Sequence, residues 1–262
     1  MNKKLKFYKY QGAGNDFILL DNREKNIHLT EKEIAQLCHR NFGIGADGLM
    51  LLENIAHYDF KMVYYNADGN ESTMCGNGGR CIAAFAKYLG INKPSLNFYA
   101  IDGAHTASIN ADNSVTLQMI DVPEMNAYAD YTLLNTGSPH YVAWLNHLEQ
   151  ANVYTLGKAI RNRDEFGAKG INVNFMTKTP QGLFVRTYER GVENETLSCG
   201  TGVTAAAIAS TGQATGKFEI AIESLGGALS VQFEKDSATS ARRVYLSGPA
   251  QLVFEGTIQL TT

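Results

Sequence analysis

Two stretches of the sequence decide the expected fold: FKMVYYNADGNESTMCGNG at residues 60–78 and LFVRTYERGVENETLSCGTG at residues 183–202. Each opens with a β-branched and aromatic run typical of a strand, passes through a glycine-containing turn and ends in Cys-Gly-x-Gly. A glutamate stands four residues before each cysteine, Glu71 before Cys75 and Glu195 before Cys199. The same order of features recurs about half a chain later, which indicates an internal duplication.

An alanine-rich helix is expected after each motif, over residues 78–89 and 202–210. Small residues on all sides of these helices predict that each is central and closely wrapped by sheet. A third helix is expected after the capping box formed by Thr30 and Glu33. Strands are expected at 17–20, 60–65, 96–99, 115–120, 131–134, 141–145, 173–176, 183–188, 218–222, 229–233, 243–246 and 251–254. The fold class is therefore α+β and mostly strand, without an alternating βαβ order.

The duplication divides the chain into a first half at residues 1–125, which carries Cys75, and a second half at 126–262, which carries Cys199. The change from one half to the other is expected between Val122 and Ala129. The C-terminal strand, at residues 250–262, is a candidate to return to the first half.

Composition excludes several classes of protein. The formal net charge of −3 and the lack of a basic stripe argue against nucleic acid as a partner. No apolar run is long enough to cross a bilayer, and no apolar segment follows the N-terminal lysines as in a secretory signal, so a cytoplasmic location is expected. The four cysteines lack zinc-ligand spacing, and no metal site is expected.

Cys-Gly-x-Gly at the start of a helix combines two chemical functions. The N-terminus of a helix carries partial positive charge, which lowers the pKa of a cysteine placed there. The same backbone N–H groups bind carboxylates, and glycine lets a ligand approach them closely. One such motif is also compatible with a buried cysteine at a tight turn. The sequence contains two, at Cys75 and Cys199.

Two such thiols, one in each half, suit the inversion of a stereocentre. One group removes a proton from one face of a carbon and the other delivers a proton to the opposite face, and the roles exchange in the reverse reaction. No cofactor is expected. The negative charge of the intermediate would then be stabilised by exclusion of water and by N–H groups at its carboxylate.

The motifs in their order resemble the diaminopimelate epimerase family over nearly the full chain. The matching stretches are residues 12–17 (GAGNDF), 42–48 (FGIGADG), 66–69 (NADG), 75–81 (CGNGGRC), 138–140 (SPH), 170–175 (GINVNF), 189–191 (ERG) and 195–202 (ETLSCGTG). The resemblance implies two pseudo-symmetric halves, each a rolled and mostly antiparallel sheet around a central helix. It also implies a small-molecule substrate, diaminopimelate, whose L,L- and meso-isomers the family interconverts for lysine and peptidoglycan synthesis, and a homodimer.

The resemblance also implies roles for individual residues. Cys75 and Cys199 would be the acid and base, tuned or oriented by His140 and Glu189. The backbones of Gly76, Asn77, Gly200 and Thr201 would hold the reacting carboxylate. The other substrate groups would be bound by Asn15, Asn66, Asn172, Glu189 and Arg190.

The sequence departs from the family pattern in two places. Ser138 stands where many members have asparagine, and Gly48 stands where some have glutamine. Neither affects the thiols.

Other motifs have plainer interpretations. Gly43-x-Gly45-x-x-Gly48 matches a dinucleotide-binding pattern, but it follows a helix instead of a strand, so nucleotide binding is not expected. Cys38 and Cys81 are expected to pack in the core. Glu71 and Glu195 are candidates to brace the loops before their helices, with Arg80 paired to one of them.

Three other functions compete with diaminopimelate epimerisation. A proline or hydroxyproline racemase on the same fold usually has histidine where this chain has Asn77. A thiol redox protein could use Cys75 and Cys199 as a reversible disulfide, and a binding protein could hold an amino acid without turnover. Neither of the last two needs a thiol in each half.

Overall fold

The computed structural model describes residues 3–260, and the chain separates into two compact units. Unit 1 comprises residues 1–117 and 249–262, and unit 2 comprises residues 118–248. The sequence-based change of halves, between Val122 and Ala129, lies further along the chain than this division.

Unit 1 is a single sheet with two helices. Its elements are β1 (Lys3–Gly12), β2 (Asn15–Asp21), α1 (Glu31–Cys38), β3 (Gly48–Glu53), β4 (Phe60–Asn66), β5 (Glu71–Ser72), α2 (Gly76–Tyr88), β6 (Ser95–Ala100), β7 (Gly103–Ile109), β8 (Val115–Gln118) and the last strand of the chain, Gln251–Leu260. That last strand pairs antiparallel with β1, and the order continues β1–β2–β3–β4–β6–β7–β8, with β5 also beside β4. Among the described strands of this unit, only the β2–β3 and β4–β6 pairs are parallel.

Unit 2 repeats this topology. Its elements are β9 (Met125–Ala127), β10 (Thr132–Asn135), β11 (Pro139–Trp144), α3 (Val153–Arg161), β12 (Asn172–Thr179), β13 (Gly182–Glu189), β14 (Asn194–Thr196), α4 (Gly200–Ser210), β15 (Gly216–Ser224), β16 (Gly227–Ser237) and β17 (Ser240–Gly248); the last strand of the chain is β18. The strand order is β9–β10–β11–β12–β13–β15–β16–β17, with β14 beside β13. The parallel pairs, β11–β12 and β13–β15, are the counterparts of those in unit 1.

Each sheet wraps around its own alanine-rich helix. Helix α2 contacts β1, β2, β3, β7 and β18, and α4 contacts β10, β11, β12, β13, β15, β16 and β17. Most residues of both helices are buried, because glycine and alanine leave room for strands on every side. The predicted α+β class, with central helices wrapped by sheet, is confirmed.

The sequence predicted some elements and missed others. The capping box of Thr30 and Glu33 is present at the start of α1. The Gly43–Gly48 segment runs from α1 into β3, so it follows a helix, as expected, and not a strand as a dinucleotide-binding loop does. Strands β1, β3, β5, β7, β9 and β14 and helix α3 were not predicted. Helix α3 occupies the same topological position as α1, between two parallel strands, so the duplication itself contained the signal for it.

Candidate functional site

In unit 1, the Cys75 thiol lies at the start of α2. Cys75 is the N-cap residue and is half-buried. The N–H of Gly78 donates a hydrogen bond to its Sγ at 3.2 Å. A Cβ on Gly78 would lie 3.0 Å from this sulfur and 2.6 Å from Met50 Cε, so glycine is what allows the sulfur to approach the helix so closely. The amide donor and the helix dipole both favour the thiolate over the thiol.

Directly behind this helix start lies a fully buried arginine, Arg80. Its guanidinium donates to Asn77 Oδ1 at 2.9 Å, to the Gly76 carbonyl at 3.3 Å and to the Pro249 carbonyl at 3.4 Å. The predicted pairing of Arg80 with Glu71 or Glu195 is therefore wrong. Burial lowers the pKa of this guanidinium, while the Cys81 and Cys75 thiols act in the opposite direction. The cation fixes the first turn of α2 through uncharged oxygens.

Asn15, at the start of β2, belongs to a charged cluster near this turn. Its Nδ2 donates to Asp47, and its Oδ1 accepts a long 3.5 Å hydrogen bond from Asn77 Nδ2. Arg40 bridges Asp47 and Asp16 at 2.6 and 2.9 Å. Burial raises the pKa of Asp16, but the hydrogen bonds and charges of Arg40 and Lys9 outweigh it, and the pKa falls to about 2. Hydrogen bonds at both the amide nitrogen and the amide oxygen therefore orient the side chain of Asn15.

Asn66 ends β4 and is exposed, in register with Gly48 on β3. A turn follows it, in which the Gly69 N–H donates to the Asn66 carbonyl at 3.0 Å. A Cβ on Gly48 would lie 2.6 Å from both the Tyr65 carbonyl oxygen and Tyr64 Cε2. Glutamine at position 48 would thus require this pair of strands to rearrange.

In unit 2, Cys199 is the N-cap of α4 and is buried, with 6% of its surface exposed. Its Sγ lies 3.5 Å from Thr201 Oγ1. Among the described residues, its side chain makes no capping hydrogen bond to the helix, unlike that of Cys75. Thr204 Oγ1 donates to the Gly200 carbonyl at 2.8 Å. Thr136 Oγ1 donates to the Thr201 carbonyl, also at 2.8 Å. Hydroxyl groups therefore hold the first turn of α4.

Two predicted contact residues of unit 2, Asn172 and Arg190, meet at the hydroxyl of Ser138. Ser138 Oγ accepts a hydrogen bond from Asn172 Nδ2 at 2.9 Å and another from Arg190 Nη2 at 3.2 Å. Asn172 Oδ1 in turn accepts the Arg190 backbone N–H at 3.0 Å. The serine that departs from the family pattern is therefore the acceptor that fixes both side chains.

His140 lies beneath this group in a fully buried network. Its Nδ1 is 3.0 Å from Asn174 Nδ2, which also donates to the Tyr141 carbonyl at 3.0 Å. Thr187 Oγ1 donates to Asn174 Oδ1 at 2.9 Å. Burial and the nearby Arg190 charge lower the pKa of His140 to about 3, so the imidazole is neutral. Sequence reasoning missed Asn174 and Thr187, although Asn-Val-Asn on a strand places Asn172 and Asn174 on one face.

The acidic residues of unit 2 occupy different environments. Glu189 ends β13, and its Oε2 accepts from Thr196 Oγ1 at 3.2 Å. Glu195 forms a bidentate ion pair with Arg186, at 2.6 and 2.8 Å. Arg186 also donates to the Leu148 and Ala151 carbonyls, so Glu195 braces the loop before α4, as predicted.

The remaining cysteines are core residues, as predicted. Burial raises the pKa of both the Cys38 and the Cys81 thiols to about 12. Over residues 3–260, no cluster of three or more histidine, cysteine, aspartate or glutamate side chains could hold a metal ion. No helix in the same range is long and apolar enough to span a membrane.

Comparison of the sequence with known proteins gives a match over nearly the whole chain. The diaminopimelate epimerase family profile matches residues 7–125 and 132–253. A protein of Flavobacterium psychrophilum named diaminopimelate epimerase is 52% identical over 263 aligned positions, covering 97% of this chain and 100% of that protein. These findings confirm the family resemblance drawn from the motifs.

Solved structures share the fold at much lower identity. A Bacillus anthracis phenazine biosynthesis protein of the PhzF family superposes with a TM-score of 0.78 at 14% identity, covering 98% of this chain and 99% of that one. A hydroxyproline epimerase from Agrobacterium vitis, solved with bound trans-4-hydroxy-L-proline, gives 0.68 at 14% identity, with 98% and 93% covered. At such identities the likeness concerns the fold alone.

Proposed function

The chain belongs to the diaminopimelate epimerase family, and from this premise we propose that it interconverts L,L- and meso-2,6-diaminoheptanedioate without a cofactor. The observation that carries the proposal is the pair of helix N-caps, Cys75 and Cys199, within a sequence that is 52% identical over its length to a protein of that name. The rival proline-type activity has only a likeness of fold at 14% identity in its support.

In the proposed reaction, the two thiols act on opposite faces of the α-carbon. One thiolate takes the α-proton: the C–H bond breaks, an S–H bond forms and the electron pair remains on the substrate as a carbanion. The other thiol gives its proton to the opposite face and becomes the thiolate. The hydrogen bond from the Gly78 N–H to Cys75 Sγ supports a thiolate at that residue.

The reacting carboxylate is proposed to bind at the helix N-termini. The first N–H groups of an α-helix have no partner within the helix and bind anions. Gly76 and Asn77 supply them in α2, and Gly200 and Thr201 supply them in α4. Such donors stabilise the charge that develops on the carboxylate as the proton leaves, which replaces the electron sink of a cofactor.

The other charged groups of the substrate are assigned to Asn15, Asn66, Asn172, Glu189 and Arg190. Arg190 can pair with a carboxylate, and Glu189 can pair with an ammonium group. Asn172 and Arg190 are held in place by Ser138, and Asn15 is held by Asp47. His140 and Glu189 are proposed to tune and orient the reacting groups.

The test is exchange of the α-proton. The reduced protein is incubated with L,L-diaminopimelate in D₂O, and the α-proton signal is followed by NMR alongside chiral analysis. We expect loss of the signal together with appearance of the meso isomer. Cys75→Ala and Cys199→Ala should each lower the epimerisation rate by about a thousandfold, since each removes one proton-transfer group.

Cys38→Ala is the matched control, because this thiol is a core residue at the end of α1 and should not affect turnover. If protein with free thiols fails to exchange the α-proton of diaminopimelate, the assignment is wrong. Proline and hydroxyproline are then the next substrates to assay. Binding without exchange would instead identify a binding protein.

We also propose a cytoplasmic enzyme of lysine and peptidoglycan precursor synthesis that forms a homodimer. Four free cysteines suit a reducing compartment.

The proposed homodimer rests on an exposed apolar strand. On β18, the exposed fractions are 38% for Leu252, 56% for Val253 and 47% for Phe254, and exposed apolar strands favour association. Light scattering of the wild type and of Val253→Lys tests this: a dimer is expected for the first and a monomer for the second. A monomeric wild type would contradict the proposal.

A further inference from the structure

The amide of Asn174 has an orientation set by two independent partners. Its strand, β12, pairs with β11 and β13, which carry His140 and Thr187. The Tyr141 carbonyl can only accept a hydrogen bond, so the group 3.0 Å from it must be the amide nitrogen. Thr187 Oγ1 lies 2.9 Å from the other end of the amide, where a hydroxyl can donate to the oxygen. Exchanging the two ends of the amide would place two acceptors against each other at Tyr141.

This orientation determines where His140 carries its proton. The second hydrogen of Asn174 Nδ2 points at His140 Nδ1, 3.0 Å away, so Nδ1 is an acceptor. A neutral imidazole that accepts at Nδ1 carries its proton on Nε2. The ring stays neutral because it is fully buried beside the Arg190 charge.

The Nε2–H that results is a buried donor in need of an acceptor. Within residues 3–260, Nε2 is shielded from solvent and has no hydrogen-bond partner. A buried unpaired donor is costly, and such groups in native proteins point to a ligand or a catalytic role. The proton is therefore on the nitrogen that has no partner among the described residues, whereas the basic lone pair of the ring, on Nδ1, is occupied by Asn174.

The first turn of α4 keeps the network rigid. A Cβ on Gly202 would lie 2.3 Å from Asn174 Oδ1 and 3.2 Å from both Thr187 Oγ1 and Cys199 Cβ. The amide is therefore packed directly beneath the helix start that carries the Cys199 thiol. Asn174, Thr187 and His140 are each at most 3% exposed, so the three hydrogen bonds are shielded from bulk solvent.

We propose that Asn174 is a positioning residue that locks His140 in the neutral Nε2–H tautomer, so that His140 donates a hydrogen bond to an anionic group of the reacting complex and does not serve as a base. This inference deepens the proposed epimerisation and rests on it for the identity of that complex. The tautomer of His140 is a property of the substrate-free protein. The role of Asn174 and the proposed epimerisation can therefore be tested separately.

The first test reads the tautomer directly in substrate-free protein. Long-range ¹H–¹⁵N NMR distinguishes the two ring nitrogens, and His140→Gln assigns the signals among the six histidines. The expected result for the wild type at pH 8 is a protonated Nε2 and an unprotonated Nδ1. A protonated Nδ1 overturns the proposal, whether or not the enzyme turns over diaminopimelate.

The second test replaces Asn174, the residue proposed to fix the tautomer of His140. In Asn174→Asp at pH 8, the carboxylate accepts hydrogen bonds only, so the proton should move to Nδ1 and the donor on Nε2 should be lost. We expect kcat to fall roughly tenfold to a hundredfold with little change in KM, as for loss of a hydrogen bond to a charged group. An unchanged tautomer with unchanged kcat would overturn the proposal.

Thr187→Val and Thr187→Ser form a matched pair that leaves Asn174 in place. Valine removes the donor to Asn174 Oδ1, whereas serine keeps it. We expect a mixture of tautomers and a severalfold lower kcat for valine, with both restored in the serine variant. Equal behaviour of the two variants would show that the hydroxyl does not orient the amide. Suppose that the wild type and all of these variants show the predicted tautomers, but none of them exchanges the α-proton of diaminopimelate. The proposed function is then wrong, whereas the role of Asn174 in fixing the tautomer of His140 is still supported.

Discussion

The first turns of α2 and α4 repeat one motif, yet the groups behind them differ in charge. Four residues after the first glycine, α2 carries Arg80 and α4 carries Thr204, and each side chain donates to the carbonyl of that glycine. Arg80 is a buried cation, and the cluster around Asn15 contains two further cations. Behind α4 lie hydroxyls, amides and a neutral imidazole.

The difference shows how a duplicated motif can acquire two different electrostatic environments. A buried cation favours a thiolate nearby, whereas a network of uncharged donors and acceptors does so less strongly. The Gly78 N–H adds to this effect at Cys75, whose sulfur is the one that accepts a capping hydrogen bond. We therefore expect the Cys75 thiol to react faster with thiol-directed reagents than the Cys199 thiol.

The largest expected effect concerns the uncharged network behind α4, and within it His140. The pKa of His140 is about 3 when folded and near 6.5 when unfolded, so the unfolded chain binds the additional proton. The stabilisation is complete above about pH 6.5 and is lost as the pH falls toward 3, by roughly 4 kcal/mol.

Urea denaturation followed by fluorescence of Trp144, the only tryptophan and a residue of β11, measures this loss. His140→Gln should remove most of the decline between pH 6.5 and 3. An identical decline in the variant would mean that His140 is not buried as a neutral group.

How far the sequence predicts this molecule depends on whether a feature is local or tertiary. The cysteine N-caps, the central helices and the capping box of α1 were all predicted, because each follows from a short run of residues. Helix α3 was missed although its apolar residues lie on one face and Asn152 caps its start. The glycine at its centre, Gly157, lowers helix propensity, and only the fold shows that Tyr188 packs against it. The expected pairing of Arg80 with a glutamate failed for a different reason, since only the fold determines which oxygens a buried side chain meets.

The candidate site shows the same limit. Motif matching named Asn172, Arg190 and His140, but not the groups that hold them. Ser138 was recognised as a departure, and its role as the shared acceptor depends on two strands lying side by side. Thr187 is far from His140 in sequence and enters the network only through the pairing of β12 with β13.

The second prediction removes the buried cation. Arg80→Met removes the hydrogen bonds to Asn77 Oδ1 and to two carbonyls, and we expect a loss of about 3 kcal/mol in the free energy of unfolding. Thr204→Val, the equivalent change in α4, removes a single hydroxyl bond and should cost about 1 kcal/mol. Denaturation followed by circular dichroism compares the two. Equal losses would contradict the assignment of the charged support to α2.

The third prediction concerns the charged cluster beside Asn15. Because the pKa of Asp16 is about 2 when folded and lies below its unfolded value, its stabilisation is present above about pH 4 and is lost as the pH falls toward 2. Asp16→Asn should cost about 2 kcal/mol at pH 7 and almost nothing at pH 2. Asp47→Asn is the control, because Asp47 is more exposed than Asp16 and forms an ion pair with Arg40, whereas Asp16 forms ion pairs with both Arg40 and Lys9. A pH-independent cost for Asp16→Asn would argue against an ionised role.

The smallest expected effect tests the comparison most directly. At pH 7 and limiting iodoacetamide, Cys75 should be alkylated severalfold faster than Cys199, with Cys38 and Cys81 slowest, as read by peptide mass spectrometry. Cys75 is also the more exposed of the two, so the ratio of alkylation rates in the wild type reflects both charge and solvent access.

Two substitutions of Arg80 separate the effect of charge from that of access. Arg80→Lys keeps a cation but cannot span the same three acceptors, whereas Arg80→Met removes the charge. If charge controls the thiolate, the lysine variant retains most of the Cys75 rate and the methionine variant loses it. If both variants alkylate Cys75 at the wild-type rate, the two helix starts differ in access and not in charge.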